Sequence, residues 1–422
     1  MSRGVLLFTR DLRVHDNPAL ALAADRFDEV VPLFVLDEAL LAESPNRTAF
    51  LVDSLRNLNQ SLTRLGAPLV LRRGRPAEQV RTVGADAVVV ARDASPYAHR
   101  REERLRSAGF EVLTTPGISV HGPGELAPTG RDHYKVFSPY WRRWGQSEVR
   151  PAAPGPSRLA GPSLDSEPLP DPAPDSRDLP SGGESAGLRR LEEWLAGGGL
   201  ERYARHRNEP AADATSRLSP YLHLGCISPA EIARRVLGRR HAEPFLRQLC
   251  WRDFHTQLLW ANPRSQSESL SGAEPDWESD EDGLEAWKAG RTGYPLVDAA
   301  MRQLRREGWI HGRGRLVAAS FLSKHLGVDW RLGERHFRRL LVDGDAANNS
   351  GNWQWAAGTG VDTRPYRILN PLLQAERHDP DGEYVRRYLP ELTETGGDYP
   401  VPIVDHVEAV QRFRARAGRL RP

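Results

Sequence analysis

Lysine, cysteine and methionine are nearly absent from this 422-residue chain. Lysine stands only at Lys135, Lys288 and Lys324, so almost all of the 58 basic residues are arginine. The guanidinium fork suits bidentate pairing with phosphate and carboxylate. GC-rich coding also favours arginine, so the bias alone names no partner. The two cysteines, Cys226 and Cys250, imply no disulfide framework. Nor can they supply the four thiolates of an iron–sulfur cluster. No apolar run approaches the roughly 18 residues that a membrane helix needs. The opening "MSRGVLLFTRDLRVHD" meets charge too early for a signal peptide, so a cytoplasmic protein is expected. No glycine-rich fingerprint follows the first strand-like run, which argues against a dinucleotide-binding dehydrogenase. No His/Cys spacing suggests a metal, no nucleophile–base pair stands out, and no internal repeat is visible.

What is present changes character part-way along. "GVLLF" (4–8), "VVPLFVLD" (30–37), "APLVLRRG" (67–74), "AVVVARD" (87–93) and "FEVLTTPG" (110–117) are short apolar runs separated by helix-compatible stretches. That alternation predicts a parallel α/β sheet, with ligands at the carboxyl ends of its strands. From Arg150 to about Gly187 proline, serine, glycine and aspartate dominate and periodicity vanishes, as in an extended connection. Beyond it the runs read as amphipathic helices, among them "FLRQLCWRDFHTQLLW" and "GERHFRRLLVDG". The expected organisation is an α/β domain over 1–130, a linker over 131–187 and an all-helical domain over 188–422. The net charge of +2 is small, but acids in "WESDEDGLEAW" can mask a basic face elsewhere.

Four constellations carry chemistry. In "ATSRLSPYLHLG", Ser219 and Pro220 read as a helix N-cap and first residue. Thr215, Ser216 and Arg217 just before them would suit a diphosphate, although most such clusters are only caps. In "QLCWRDFHTQLLW", helical spacing puts Gln248, Trp251, Arg252 and His255 on one face. They suit a stacked ring, or equally a core tryptophan beside a snorkelling arginine. In "DGDAANNSGNWQW", Asp343 and Asp345 would accept from ring N–H groups or pair with Arg315. Asn348 and Asn349 there offer both donors and acceptors. This is a capped helix start or a socket for a polar, redox-active ring. Finally, Trp277, Trp330 and Trp353 are singly core residues by default. Set in a row, they would pass electrons.

Taken together these motifs resemble the DNA photolyase/cryptochrome family, of the bacterial single-chain type. The resemblance runs in order through "LLFTRDLRVHDNPAL", "HYKVFSPYWRRW", "TSRLSPYL", "WRDF", "GYPLVDAAMRQL", "GWIHGRGR", "DGDAANNSGNWQWAAGTGVD" and "DPDGEYVRRYLPEL". It implies a helical domain that binds FAD. Tyr203, Thr215, Ser216, Arg217, Leu218 and Ser219 match the phosphate-side contacts. Arg252 and Trp251 flank flavin and lesion. Asp343 and Asp345 lie near the flavin ring with Arg315 as ion-pair partner, and Asn349 faces flavin N5. Trp353, Trp330 and Trp277 match the electron chain. Arg207 and Arg313 match positions that contact UV-damaged DNA, while Trp251 and Trp355 would pack on a flipped-out dimer. The α/β domain would hold an antenna pigment, deazaflavin or folate. The family expectation is a monomer without metal.

Three positions depart from dimer-repair members. Gln248 stands where a glutamate is usual, and an amide cannot supply a proton. Gly312 replaces an asparagine, and Leu316 replaces a methionine. The rest of the resemblance outweighs these departures, and repair of cyclobutane pyrimidine dimers, slowed by Gln248 and Gly312, is the expected activity. A cryptochrome-like blue-light photoreceptor without repair, or a photolyase for another lesion, is the alternative.

Overall fold

The computed structural model describes residues 2–272, 274–361, 367–392 and 399–418, so Asp362, which ends the longest motif, lies outside it. The chain divides into two compact units. One comprises Met1–Pro174, Pro180–Glu201 and Ser216–Pro263, the other Asp175–Leu179, Arg202–Thr215 and Arg264–Pro422.

In the first unit, the described residues form one parallel sheet. Its strands are β1 (Arg3–Leu7), β2 (Glu29–Leu36), β3 (Val70–Arg73), β4 (Ala87–Ala91) and β5 (Glu111–Thr115), in the order β3-β2-β1-β4-β5. Val5 pairs with Val31 on one side and Val88 on the other. Every residue of β4 is buried, as expected of a strand covered on both faces and built from an unbroken apolar run. The five runs picked out by apolarity are the five strands, each within a few residues of its expected bounds.

The proline-rich stretch is extended but not free. A helix, Phe137–Gln146, falls inside the span expected to be linker. Further along, Val30 N–H donates to Ala160 (2.8 Å), Leu71 N–H to the Ser166 hydroxyl (2.9 Å), and Glu167 N–H to Leu71 (3.0 Å). A proline-rich chain has few N–H donors of its own but keeps its carbonyls and hydroxyls, so it mainly accepts from strand N–H groups along the sheet.

The helix Glu243–Ala261 also belongs to this unit, and Asp253 anchors it. Its buried carboxylate accepts from the backbone N–H of Val120 and His121 (both 3.1 Å) and from the Trp144 indole (2.9 Å). Burial pushes this carboxyl up to about 6, against the opposing effect of Arg252. The second unit is helical. Glu281–Ala289, Pro295–Glu307, Gly312–Ser320, Trp330–Leu340 and Ala346–Ala357 enclose a core containing Trp287, Trp330, Phe337 and Trp353. Among the described residues no helix is long and apolar enough to cross a membrane.

Burial makes the Asp253 carboxyl hold its proton more tightly in the folded protein than in the unfolded chain. Its folded value lies above the ordinary 3.8, so its contribution to stability is full below 3.8 and is lost as pH rises through about 6. Carbon-13 NMR should place the Asp253 titration midpoint near 6. Urea unfolding of wild type against Asp253→Asn should show the wild-type advantage shrinking between pH 4 and 7.

Candidate functional site

The polar run before Ala346–Ala357 is a capped helix start. Asp345 is the cap, and its Oδ1 accepts from the Asn348 backbone (2.8 Å) and side-chain amide (2.7 Å). Two residues earlier the buried Asp343 receives Arg315, whose Nη2 lies 3.0 and 2.7 Å from its two oxygens. Arg315 Nε donates to Ile310 (3.0 Å), which fixes the fork. One turn into the helix, the Asn349 amide donates to the Glu334 carboxylate (2.9 Å) and backbone carbonyl (3.2 Å), both on Trp330–Leu340. That leaves the Asn349 oxygen as an uncommitted acceptor. The expected pairing of Asp343 with Arg315 is present; Glu334, the partner of Asn349, was not foreseen. In its own segment Glu334 looks like a solvated helix face, yet it is 4% exposed.

The three tryptophans lie on connected parts of this unit. Trp353 is buried, and its ring edge lies against Gly333, where a Cβ would sit 2.2 Å from Cη2. Gly333 is one turn along the helix that begins at Trp330. The guanidinium of Arg331 lies 4.9 Å over the Trp330 ring, and Glu274 accepts from Arg331 (2.6 Å) and from Trp277 Nε1 (3.5 Å). Trp277 packs on the edge of the same core. The indole N–H groups of Trp330 and Trp353 are buried and have no acceptor. A fourth tryptophan that sequence reading passed over, Trp287, is fully buried with its ring 5.9 Å from Trp353, and it donates to the Ala318 carbonyl (3.0 Å).

Arg313 reaches Asn208 (2.7 Å) and Gln374 (3.3 Å), so the segment carrying Arg207 lies beside it. Burial and the neighbouring charges of Arg367 and Arg377 push the Arg313 guanidinium down from its usual range. His378 is driven to about 4 by burial and by Arg313 and Arg377. This is the basic patch that the small net charge conceals. Gly312 opens the Gly312–Ser320 helix, which His311 caps by accepting from Arg313 N–H (3.1 Å). A Cβ at Gly312 would meet nothing within 4 Å, so the missing side chain leaves real space. Leu316 and Trp355 are half-buried. Tyr203 is buried, which pushes its hydroxyl up to about 12.

In the first unit, Ser219 is the first residue of the short helix Ser219–His223, and its cap position is Leu218, without a side-chain cap bond. The N-cap expected at Ser219 is therefore displaced by one residue, because Arg217 turns the chain with a left-handed φ of 53°. Arginine adopts that backbone at a cost, and such outliers concentrate at functional sites. Ser216 is buried, its hydroxyl accepting from Leu218 N–H (3.4 Å) and its carbonyl from Arg190 (2.9 Å). Thr215 falls at the end of a second-unit segment. On Glu243–Ala261, Gln248 is exposed, and Trp251 stacks on Phe137 with centroids 3.6 Å apart and planes at 3°. Arg252 donates to the carbonyls of Ile118 and Leu222. Its fork ties the helix into its own unit.

A cavity of about 340 Å³ lies beyond the carboxyl ends of β2 and β3, lined by Asp37, Arg75, Tyr97, Arg100, Arg101 and Arg104 among others. Arg101 is 8% exposed, and its Nε and Nη2 have no hydrogen-bond partner. No cluster of potential metal ligands occurs among the described residues.

Two family models match the chain: DNA photolyase over residues 4–157, and the FAD-binding domain of DNA photolyase over residues 245–419. A deoxyribodipyrimidine photo-lyase of Streptomyces griseus is 46% identical over 99% of this chain and all of its own length. The chain belongs to the DNA photolyase family. Among solved structures, this photolyase-family chain resembles a class III photolyase of Agrobacterium tumefaciens (TM-score 0.91, 35% identity, 100% of this chain and 98% of that one). It also resembles an archaeal photolyase of Sulfolobus tokodaii described with two FAD molecules (TM-score 0.85, 33% identity, 99% and 100%).

Two glycines of this photolyase-family chain should respond in opposite ways. Gly333→Ala drives a methyl into Trp353 and is expected to cost about 1–3 kcal/mol in urea unfolding, with altered tryptophan fluorescence. Gly312→Ala adds a methyl in open space at a helix start and should leave stability unchanged or raised by up to about 1 kcal/mol.

Proposed function

We propose that this protein splits cyclobutane pyrimidine dimers in DNA, using blue light and FAD. The observation that carries this reading is the Asp343–Trp353 segment. Within eleven residues it presents an acid paired with arginine, a carboxamide whose oxygen is uncommitted, and a buried tryptophan. The chain that holds it matches a curated photolyase end to end. That donor set fits an isoalloxazine, whose edge mixes N–H donors with carbonyl acceptors. Bound FAD supplies the light-driven electron that opens the dimer.

The residues of the chain do the rest. Asp343, Asp345 and Asn349 orient the ring, while Glu334 holds the Asn349 amide so that its oxygen stays available as an acceptor for a ring N–H. Tyr203, Thr215, Ser216, Arg217, Leu218 and Ser219 serve the phosphate side, with Arg252 flanking the flavin. Trp353, Trp330 and Trp277 relay electrons inward. Arg207 and Arg313, backed by Arg367 and Arg377, hold phosphates of the damaged strand, so binding weakens steeply with salt. Trp251, Leu316 and Trp355 pack on the extruded dimer. Gln248 hydrogen-bonds to it but donates no acidic proton.

In the α/β unit, the cavity beyond β2 and β3 holds an antenna chromophore. Its four arginines outnumber the lining carboxylates of Asp37 and Glu78, and two nitrogens of the buried Arg101 lack hydrogen-bond partners, which fits an anionic pigment of the deazaflavin or folate type. Pigment extracted from protein expressed in its native host should include a second chromophore besides FAD, and Arg101→Ala should reduce it at least severalfold while FAD content holds.

The decisive test is anaerobic repair of an oligonucleotide bearing one cis-syn thymine dimer, with reduced protein, in blue light and in darkness. Restored thymines in light alone support the proposal. Absence of repair by FAD-loaded protein overturns it in favour of a photoreceptor or another lesion. Gln248→Glu should raise the repair yield, because an acid there can protonate the opening ring.

A further inference from the structure

The tryptophan series carries an asymmetry of charge and of proton acceptors, and this inference rests on the electron relay proposed above. Inside, the indole N–H groups of Trp353 and Trp330 are buried with no acceptor. At the outer position, Trp277 Nε1 faces the Glu274 carboxylate at 3.5 Å. Between them, Arg331 places its guanidinium 4.9 Å over the Trp330 ring. Arg331 is itself held by Glu274 (2.6 Å) and Asp329 (3.2 Å).

We propose that Glu274 is the proton acceptor that makes electron relay through these tryptophans one-way. A one-electron hole arriving on Trp330 sits under a positive charge, which disfavours it there. Trp330 cannot shed its proton, so it relieves the hole only by taking an electron, either back from the inner side or, in forward relay, from Trp277. Trp330 returns to its closed-shell state and Trp277 becomes the radical cation. Its N–H bond then breaks, the proton passes to a Glu274 carboxylate oxygen, and a neutral Trp277 radical and a neutral carboxylic acid remain. The transfer also removes the negative charge opposing Arg331, leaving the guanidinium to Asp329 alone. The hole is thereby further discouraged from returning to Trp330. Glu274 is about half exposed, so its proton exchanges with water. An exogenous thiol returns one electron and one proton to Trp277.

The test is transient absorption of FAD-loaded protein after a flash, following conversion of the tryptophan radical cation to the neutral radical. Wild type should convert rapidly at a rate independent of buffer concentration. Glu274→Gln keeps the shape but cannot take a proton, so conversion should slow about a hundredfold and recover with added imidazole as a soluble base. An unchanged rate in Glu274→Gln, or a slowed rate that imidazole does not restore, overturns the proposal. Trp277→Phe should abolish the long-lived tryptophan radical. If that radical persists, the relay itself is misassigned and this proposal falls with it, whereas dimer repair by chemically reduced protein would still stand.

Discussion

Asp343 can be buried only because Arg315 reaches it, and the polar segment that follows depends on that pair. A carboxylate taken from water without a partner costs several kcal/mol. Here both oxygens lie within 3.0 Å of one guanidinium nitrogen, and the guanidinium is fixed by the Ile310 carbonyl. With Asp343 secured, Asp345 is free to cap the helix, the helix directs Asn349 to Glu334, and Trp353 follows one turn later into the core. Each step satisfies buried polar groups with named partners. Against that background the indole N–H groups of Trp330 and Trp353 stand out, since both are buried without an acceptor.

The same logic distinguishes structure from function elsewhere. Arg252 sits in a motif that suggests ligand binding, and two backbone carbonyls of its own unit fix where its guanidinium lies. Asp253 beside it is an anchor for the loop at Val120 and for Trp144. Arg101, by contrast, is buried beside a cavity with two guanidinium nitrogens unpaired. Buried guanidinium nitrogens without hydrogen-bond partners are rare, and these two lie beside open space rather than inside packed core.

Glycine shows how close packing and open space are used in one unit. Gly333 lets Trp353 lie against the Trp330–Leu340 backbone, joining two tryptophans through one helix. Gly312 leaves room beside Arg313 where a side chain would fit without contact. The first glycine permits a close ring contact, whereas the second leaves an exposed position open.

The chain's local patterns were enough to determine the α/β sheet, the change to helices after the proline-rich stretch, and the residues of the polar helix start. Unbroken apolar runs mark strands buried on both faces, and helical spacing marks the rest. Even the Asp343–Arg315 pair was legible, since acids and an arginine stood out in neighbouring motifs. The sequence did not show Asn349 meeting Glu334 15 residues away, Arg331 meeting Glu274 57 away, or Arg313 meeting Asn208 105 away. Nor did it place the cap of Ser219–His223 or reveal that two nitrogens of the buried Arg101 lack hydrogen-bond partners. Periodicity tells which face of a helix is buried, but not what the face is buried against. Helix packing decides that, and with it which charges and protons the tryptophans encounter.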